Sequence, residues 1–216
     1  MREALALGES ARGSSAPNPN VGCVIVSPSG KIVGRGATAR GGRPHAEQVA
    51  LEQAGRRAKG ATVYATLEPC AHDSPRGPAC TDLLLKAKPA RVVLALKDPD
   101  PRTSGKGIRR LRAAGIEARL GVGRDAAKRS LSGWLTRLAL GRPRITLKLA
   151  LSIDGKIALP SGESKWITGE DARRHVHFER SRSDMILVGR APTLPISPGS
   201  TSGCRASRSG HRGAHC

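Results

Sequence analysis

Residues 44–70, PHAEQVALEQAGRRAKGATVYATLEPC, decide how this chain folds. Pro44 suits the opening of a helix, where a missing N–H is harmless, and the helix is expected to run to about Arg57 with Gly60 following it. Ala61 to Leu67 then reads as a strand, and Glu68-Pro69-Cys70 follows it directly. Upstream, Met1 to about Arg12 reads as an amphipathic helix. Val21 to Ser27 (VGCVIVS) reads as a buried strand, Pro28-Ser29-Gly30 as a turn, and Lys31 to Ala37 as the hairpin partner. Downstream, a helix over Thr81 to Ala87 leads to a strand over Arg91 to Leu96, and Asp98-Pro99-Asp100-Pro101 breaks the chain. A short basic helix over Gly107 to Ala114, capped by Gly115, precedes a last strand over Ile116 to Leu120. Strands alternating with helices predict a layered α/β domain with a partly parallel sheet.

The bulk properties narrow the class. The 216 residues include one Phe, one Tyr and two Trp, so any core must be built from Val, Ile, Leu and Ala. No apolar run approaches the roughly 20 residues that span a bilayer, and the first residues, MREALAL, lack a signal-peptide pattern. A cytoplasmic protein without a membrane partner is therefore expected. The net charge of +20 would suit nucleic acid. No long basic block interleaves with aromatics, however, as base stacking requires, so arginines spread over solvated faces explain the charge better. A phosphorylated small substrate would also suit such a surface. Five cysteines form an odd set without disulfide rhythm, which favours metal ligation for two of them.

After a helical stretch from Asp125 to Leu140, ended by Gly141 and Pro143, a second unit starts at Arg144. Its expected order is strand ITLKLALS, turn Asp154-Gly155, strand KIALP, helix EDARRHVHFERSR and strand DMILVG. From about Ala191 the character changes, with Ser, Gly, Arg and Pro dominant and no acidic residue. Such a segment cannot offset its ordering entropy by burial. The division is therefore 1–122 for the first domain, 123–143 for a helical linker, 144–190 for the start of a second domain and 191–216 for a disordered tail. An out-of-frame read of GC-rich coding DNA would explain the tail, and translation of the other frames tests it.

The chemistry is concentrated in His45-Ala46-Glu47, Glu68-Pro69-Cys70 and Cys80. One histidine and two cysteines can hold zinc by three ligands and leave a fourth position for water. Glu47, beside the histidine, is free to move protons. That division matches the H-x-E…P-C-x-x-C pattern of zinc deaminases that act on nucleobase-like rings. Here nine residues separate the cysteines instead of two. His45 is expected in the first turn of its helix, Cys70 at the carboxyl end of a strand, and Cys80 just before a helix whose dipole favours a thiolate. Zinc would lower the pKa of its water to about 7, and Glu47 would carry the proton to the ring and help ammonia leave. Cys23, on the first strand, is expected to be structural.

At these residues the sequence resembles the bifunctional deaminase/reductase family of riboflavin biosynthesis. The resemblance rests on PNPNVGCVIV (17–26), PHAE (44–47), TLEPCAH (66–72), PAC (78–80) and KDPDP (97–101), then on LKLALSIDGKIAL (147–159) and GESKWITGEDAR (162–173). It covers roughly residues 1–190, and the wide cysteine spacing is a trait of that family. It implies a cytidine-deaminase-like α/β/α layered mixed sheet, followed by the N-terminal fragment of a dihydrofolate-reductase-like reductase domain. It implies zinc on His45, Cys70 and Cys80, with Glu47 as proton shuttle. Asn20 and His72 fall at substrate contacts, as do Ser164 and Arg180 in the second unit, while Ala150 and Trp166 fall at the NADPH site. The implied substrate is a diaminopyrimidinone carrying a ribosylamino phosphate. Reduction with NADPH is expected to be lost, because most of the family's dinucleotide-binding sheet has no counterpart in this sequence. Two rivals stand beside this reading: a zinc deaminase of tRNA or other nucleic acid, and an inactive remnant. A homo-oligomer is compatible with all three.

Overall fold

The computed structural model describes residues 1–72 and 74–188, which divide into two compact units, Met1–Arg144 and the residues from Ile145 onward. The first unit is a five-stranded mixed sheet in the order β2-β1-β3-β4-β5. Its strands are β1 (Gly22–Val26), β2 (Ile32–Ala37), β3 (Thr62–Ala65), β4 (Arg91–Leu94) and β5 (Glu117–Leu120). β1 lies antiparallel to β2 and β3, whereas β3, β4 and β5 run parallel. The hairpin accounts for the antiparallel half. Each parallel neighbour is reached through a helix, as a parallel crossover demands.

Helices cover both faces. Gly22 faces α1 (Arg2–Ser10), since a Cβ there would run into the Ala4 carbonyl. Gly34 and Gly36 on β2 face α2 (Ala46–Ala54) at Ala50 and Ala46. Cys23, one residue after Gly22, is paired with Gly36, so side-chain alternation puts α1 and α2 on opposite faces. α3 (Cys80–Ala87) packs beside α2, and α4 (Lys106–Ala113) packs beside α3. α5 (Arg124–Ser130) packs against α1. The core is aliphatic, as the composition requires: Ile25, Leu84, Leu94, Leu111, Leu131, Val63 and Val92 are fully buried. The expected single helix over 125–140 is two, α5 and α6 (Ser132–Leu140), because the backbone leaves helical geometry at Leu131.

The second unit corrects the sequence reading. Its turn at Asp154-Gly155 and its helix, α7 (Glu170–Ser181), lie where expected. The strands expected over 145–152, 156–160 and 184–188 are irregular backbone instead. The alternating residues Ile145, Leu147 and Ile153 are 81%, 80% and 108% exposed. A strand needs a hydrogen-bonded neighbour, and a lone hairpin is marginal in water. Around the turn the described backbone offers only contacts such as Ser152 N–H to the Lys156 carbonyl, 2.9 Å. The expected tail, 191–216, lies outside the described residues. Among the described residues no helix is long and apolar enough to cross a membrane.

Candidate active site

Three elements of the first unit bring the predicted ligands together. His45 is the N-cap of α2, with extended backbone (φ −72°, ψ 159°), one residue earlier than the first-turn position expected. Cys70 follows β3 through Glu68 and Pro69. Cys80 is the first residue of α3. The donor atoms of the three side chains lie within 4.8 Å of one another. His45 Nδ1 is 3.3 Å from Cys80 Sγ and 3.6 Å from Cys70 Sγ. The Cys80 backbone N–H also donates to Cys70 Sγ at 3.2 Å, which sets that sulfur at the positive end of α3.

The two thiols shift in opposite directions. Cys70 is held well below the usual thiol range, first by the hydrogen bond from the Cys80 thiol and then by His45. Cys80 is pushed well above it, by that same hydrogen bond and by burial. Two thiols this close to each other and to Glu47 share one proton when no cation neutralises them. One nitrogen and two sulfurs converging at this spacing are a donor set suited to zinc.

Glu47, in the first turn of α2, is 3% exposed. Burial is the main cause of its raised pKa, the Cys70 thiolate adds to it, and His45 works against it. A carboxyl held in this way takes up and returns a proton more readily than one in water. Beside these residues lies a cavity of about 230 Å³, lined further by Asn18, His72, Asp98, Asp100 and Trp134. Arg43, Arg76, Arg102 and Arg137 also line it, facing the acidic Glu47, Glu68, Asp98 and Asp100, and Arg102 is paired with Asp100 at 2.6 Å. His72 lines the cavity, with Nδ1 3.2 Å from Thr103 Oγ1.

Asn20 departs from expectation. Its amide donates to the Gly8 carbonyl and to Ser130 Oγ, each at 3.1 Å, tying α1 to α5, and it does not line the cavity. Val21 N–H donates to the Pro19 carbonyl, and this tight turn aims Asn20 at the helices. The asparagine at the site is Asn18, which donates to the Gly42 carbonyl at 2.7 Å and lies 2.9 Å from His45 Nε2. Two prolines flank Asn18, and that was the signal available to find it. In the second unit, Ser164 and Trp166 line an open depression of about 670 Å³, whereas Ala150 and Arg180 do not. Trp166 is 70% exposed, with the Arg173 guanidinium 4.2 Å from its ring centre.

Residues 1–96 match the cytidine and deoxycytidylate deaminase zinc-binding region, a span that holds all three ligands and Glu47. Residues 143–210 match the RibD C-terminal domain. The riboflavin biosynthesis protein RibD of Escherichia coli is 48% identical over 201 residues, covering 93% of this chain and 54% of that protein. Along most of its length the chain is similar to RibD proteins. It spans about half the length of the curated relatives it matches. Among solved structures, RibD from Acinetobacter baumannii is 47% identical with a TM-score of 0.76, covering 85% of this chain and 51% of that one. A diaminohydroxyphosphoribosylaminopyrimidine deaminase/5-amino-6-(5-phosphoribosylamino)uracil reductase from Thermotoga maritima is 39% identical with a TM-score of 0.77, covering 83% and 51%. The RibD-like mixed sheet with its helices is the fold the sequence predicted.

Proposed function

We propose that the first unit, Met1–Arg144, hydrolytically deaminates a diaminopyrimidinone carrying a ribosylamino 5'-phosphate. The observation that carries this is the convergence of His45, Cys70 and Cys80 beside buried Glu47, at a cavity rimmed by arginines. The relatives' names supply the substrate class, since the Thermotoga maritima protein is named for this deaminase.

Zinc bound by the three side chains would supply a water acidic enough to ionise near neutral pH. The residues of the chain do the rest. Glu47 takes a proton from water, passes it to the ring nitrogen next to the reacting carbon, and helps the exocyclic amine leave as ammonia. Oxygen from water thereby replaces nitrogen on the ring, with no oxidant or reductant consumed. Burial keeps Glu47 away from bulk water and pre-set for this exchange. Asn18 braces His45 from the side opposite the thiols. The arginines would attract the phosphate, which is doubly charged near neutral pH.

The test is ammonia release from that pyrimidine phosphate by the metal-loaded protein, with Glu47→Gln in parallel. Wild type should release ammonia, and Glu47→Gln should bind zinc but release none. Turnover retained in Glu47→Gln overturns the proposed role.

A further inference from the structure

Glu68 is 2% exposed and takes no part in the proton transfer described above. Its carboxylate accepts three backbone N–H groups that lie far along the chain. Oε2 takes Asp98 N at 3.2 Å and Gly105 N at 2.9 Å, and Oε1 takes Ile108 N at 3.1 Å. These donors bracket the loop 98–105 and the first turn of α4. Burying a carboxylate is costly unless donors surround it, and here three fixed donors do so. The loop they hold carries Asp98, Asp100 and Arg102 to the cavity. It also carries Thr103, whose Oγ1 accepts Ala71 N–H at 3.4 Å and meets His72 Nδ1. Gly107 shows how tightly α4 sits against this segment, since a Cβ there would lie 2.6 Å from the Pro69 carbonyl oxygen, 2.9 Å from Thr81 Oγ1 and 3.3 Å from Glu68 Oε1.

We propose that Glu68 is a positioning residue for substrate binding. Its carboxylate fixes the 98–105 loop against the segment bearing Cys70, and so sets where Asp98, Asp100, Arg102 and His72 meet the substrate. The metal ligands have their own supports. Thr81 Oγ1 donates to the Pro69 and Cys70 carbonyls at 3.1 and 2.9 Å, and His45 is held by Asn18. Loss of the Glu68 charge therefore loosens the substrate side of the cavity and leaves the metal side in place. This rests on the deaminase reading above.

The test is Glu68→Gln in the full chain, followed by zinc content, steady-state kinetics on the pyrimidine phosphate and amide hydrogen exchange. The amide of Gln offers one oxygen where the carboxylate offered two, and it turns an N–H toward a backbone donor. KM should rise about tenfold or more, as expected for losing a charge-assisted bond, with kcat changed by less than about threefold on the same grounds. Zinc content should match wild type. The amides of Asp98, Gly105 and Ile108 should exchange at least about tenfold faster, while those of β1 and β3 stay protected. An unchanged KM, or a fall in kcat with KM unchanged, overturns the proposal. If Glu68→Gln fails to fold, exchange in the wild-type protein decides: the amides of Asp98 and Gly105, which donate to Glu68, should be protected at least about tenfold relative to free backbone, and unprotected amides there overturn the anchor. A wild-type protein that releases no ammonia counts against the deaminase reading. The exchange measurement then still judges the loop anchor, and unaltered protection at 98, 105 and 108 overturns it.

Discussion

Replacing Gly36 with alanine should disable the site without altering any functional side chain. Gly36 lies on β2 against α2, and a Cβ there would sit 2.7 Å from Ala50 N and nearer still to the Ala46 carbonyl oxygen. An ordinary carbon–oxygen approach is about 3.3–3.6 Å. Both obstacles are backbone atoms of one helix, so α2 must lift from the sheet by on the order of 1 Å. His45 caps that helix and Glu47 is in its first turn, so both move with it. Cys70 and Cys80 stay with β3 and α3. Overpacking of this kind costs about 1–3 kcal/mol, which lowers Tm by roughly 2–12 °C for a domain of this size. The effect on the site is larger. Ligand distances must hold to about 0.2 Å, and a misplacement near 1 Å costs roughly a hundredfold in rate. A thermal melt, a zinc titration and an ammonia assay on Gly36→Ala measure all three. Gly133→Ala is the control, because a Cβ at this helical position meets nothing within 4 Å. It should be neutral or stabilise by up to ~1 kcal/mol. Wild-type zinc affinity and turnover in Gly36→Ala would refute the reasoning.

Further outcomes follow from the same geometry. Asp98 is 6% exposed, and burial raises its pKa to about 6. The folded state thus holds a proton that the unfolded chain has lost, and stability falls as pH rises from about 4 to about 6, then levels off. Because Asp98 opens onto the cavity, solvent screening trims the penalty to roughly 1–2 kcal/mol. Asp98→Asn should therefore be more stable than wild type at pH 7.5 and no more stable at pH 4, by denaturant melts at both. Thr81→Val removes the hydroxyl that donates to the Pro69 and Cys70 carbonyls. It should cost about 1–3 kcal/mol and weaken zinc retention against a chelator; unchanged retention would show that this support is not needed. The described residues of the second unit form no sheet, and purified protein given the deaminated product should leave NADPH unconsumed. A fall in absorbance at 340 nm, the ordinary hydride-transfer signal, would contradict this.

The ligand set was legible because its chemistry depends on residue type and on order along the chain. A histidine opening one helix and a cysteine opening another, with a strand-end cysteine between, can converge where helix starts and strand ends share one edge of the sheet, as they do here. The placement of Glu47 in the first turn beside His45 was legible for the same reason. Asn18 and Asn20 were not separable by type. Both stand in one PNPN segment, and only the tight turn before Val21 aims Asn20 at Gly8 and Ser130. Glu68 was invisible as an anchor because its partners lie 30, 37 and 40 residues away and offer backbone groups, which carry no residue signature. The strands expected after Arg144 had the right alternation, but alternation reports which side chains want burial and says nothing of whether a neighbouring strand is there to bury them. The break at Leu131 was equally silent, since Leu is a good helix former and its residue type does not mark the change of backbone there.

The most direct test is zinc content measured together with ammonia release on the purified chain. We expect one zinc per chain, lost in Cys70→Ala, and ammonia from the diaminopyrimidinone ribosylamino phosphate that disappears in Glu47→Gln. Zinc-loaded, folded protein that releases no ammonia from that substrate would contradict the deaminase assignment.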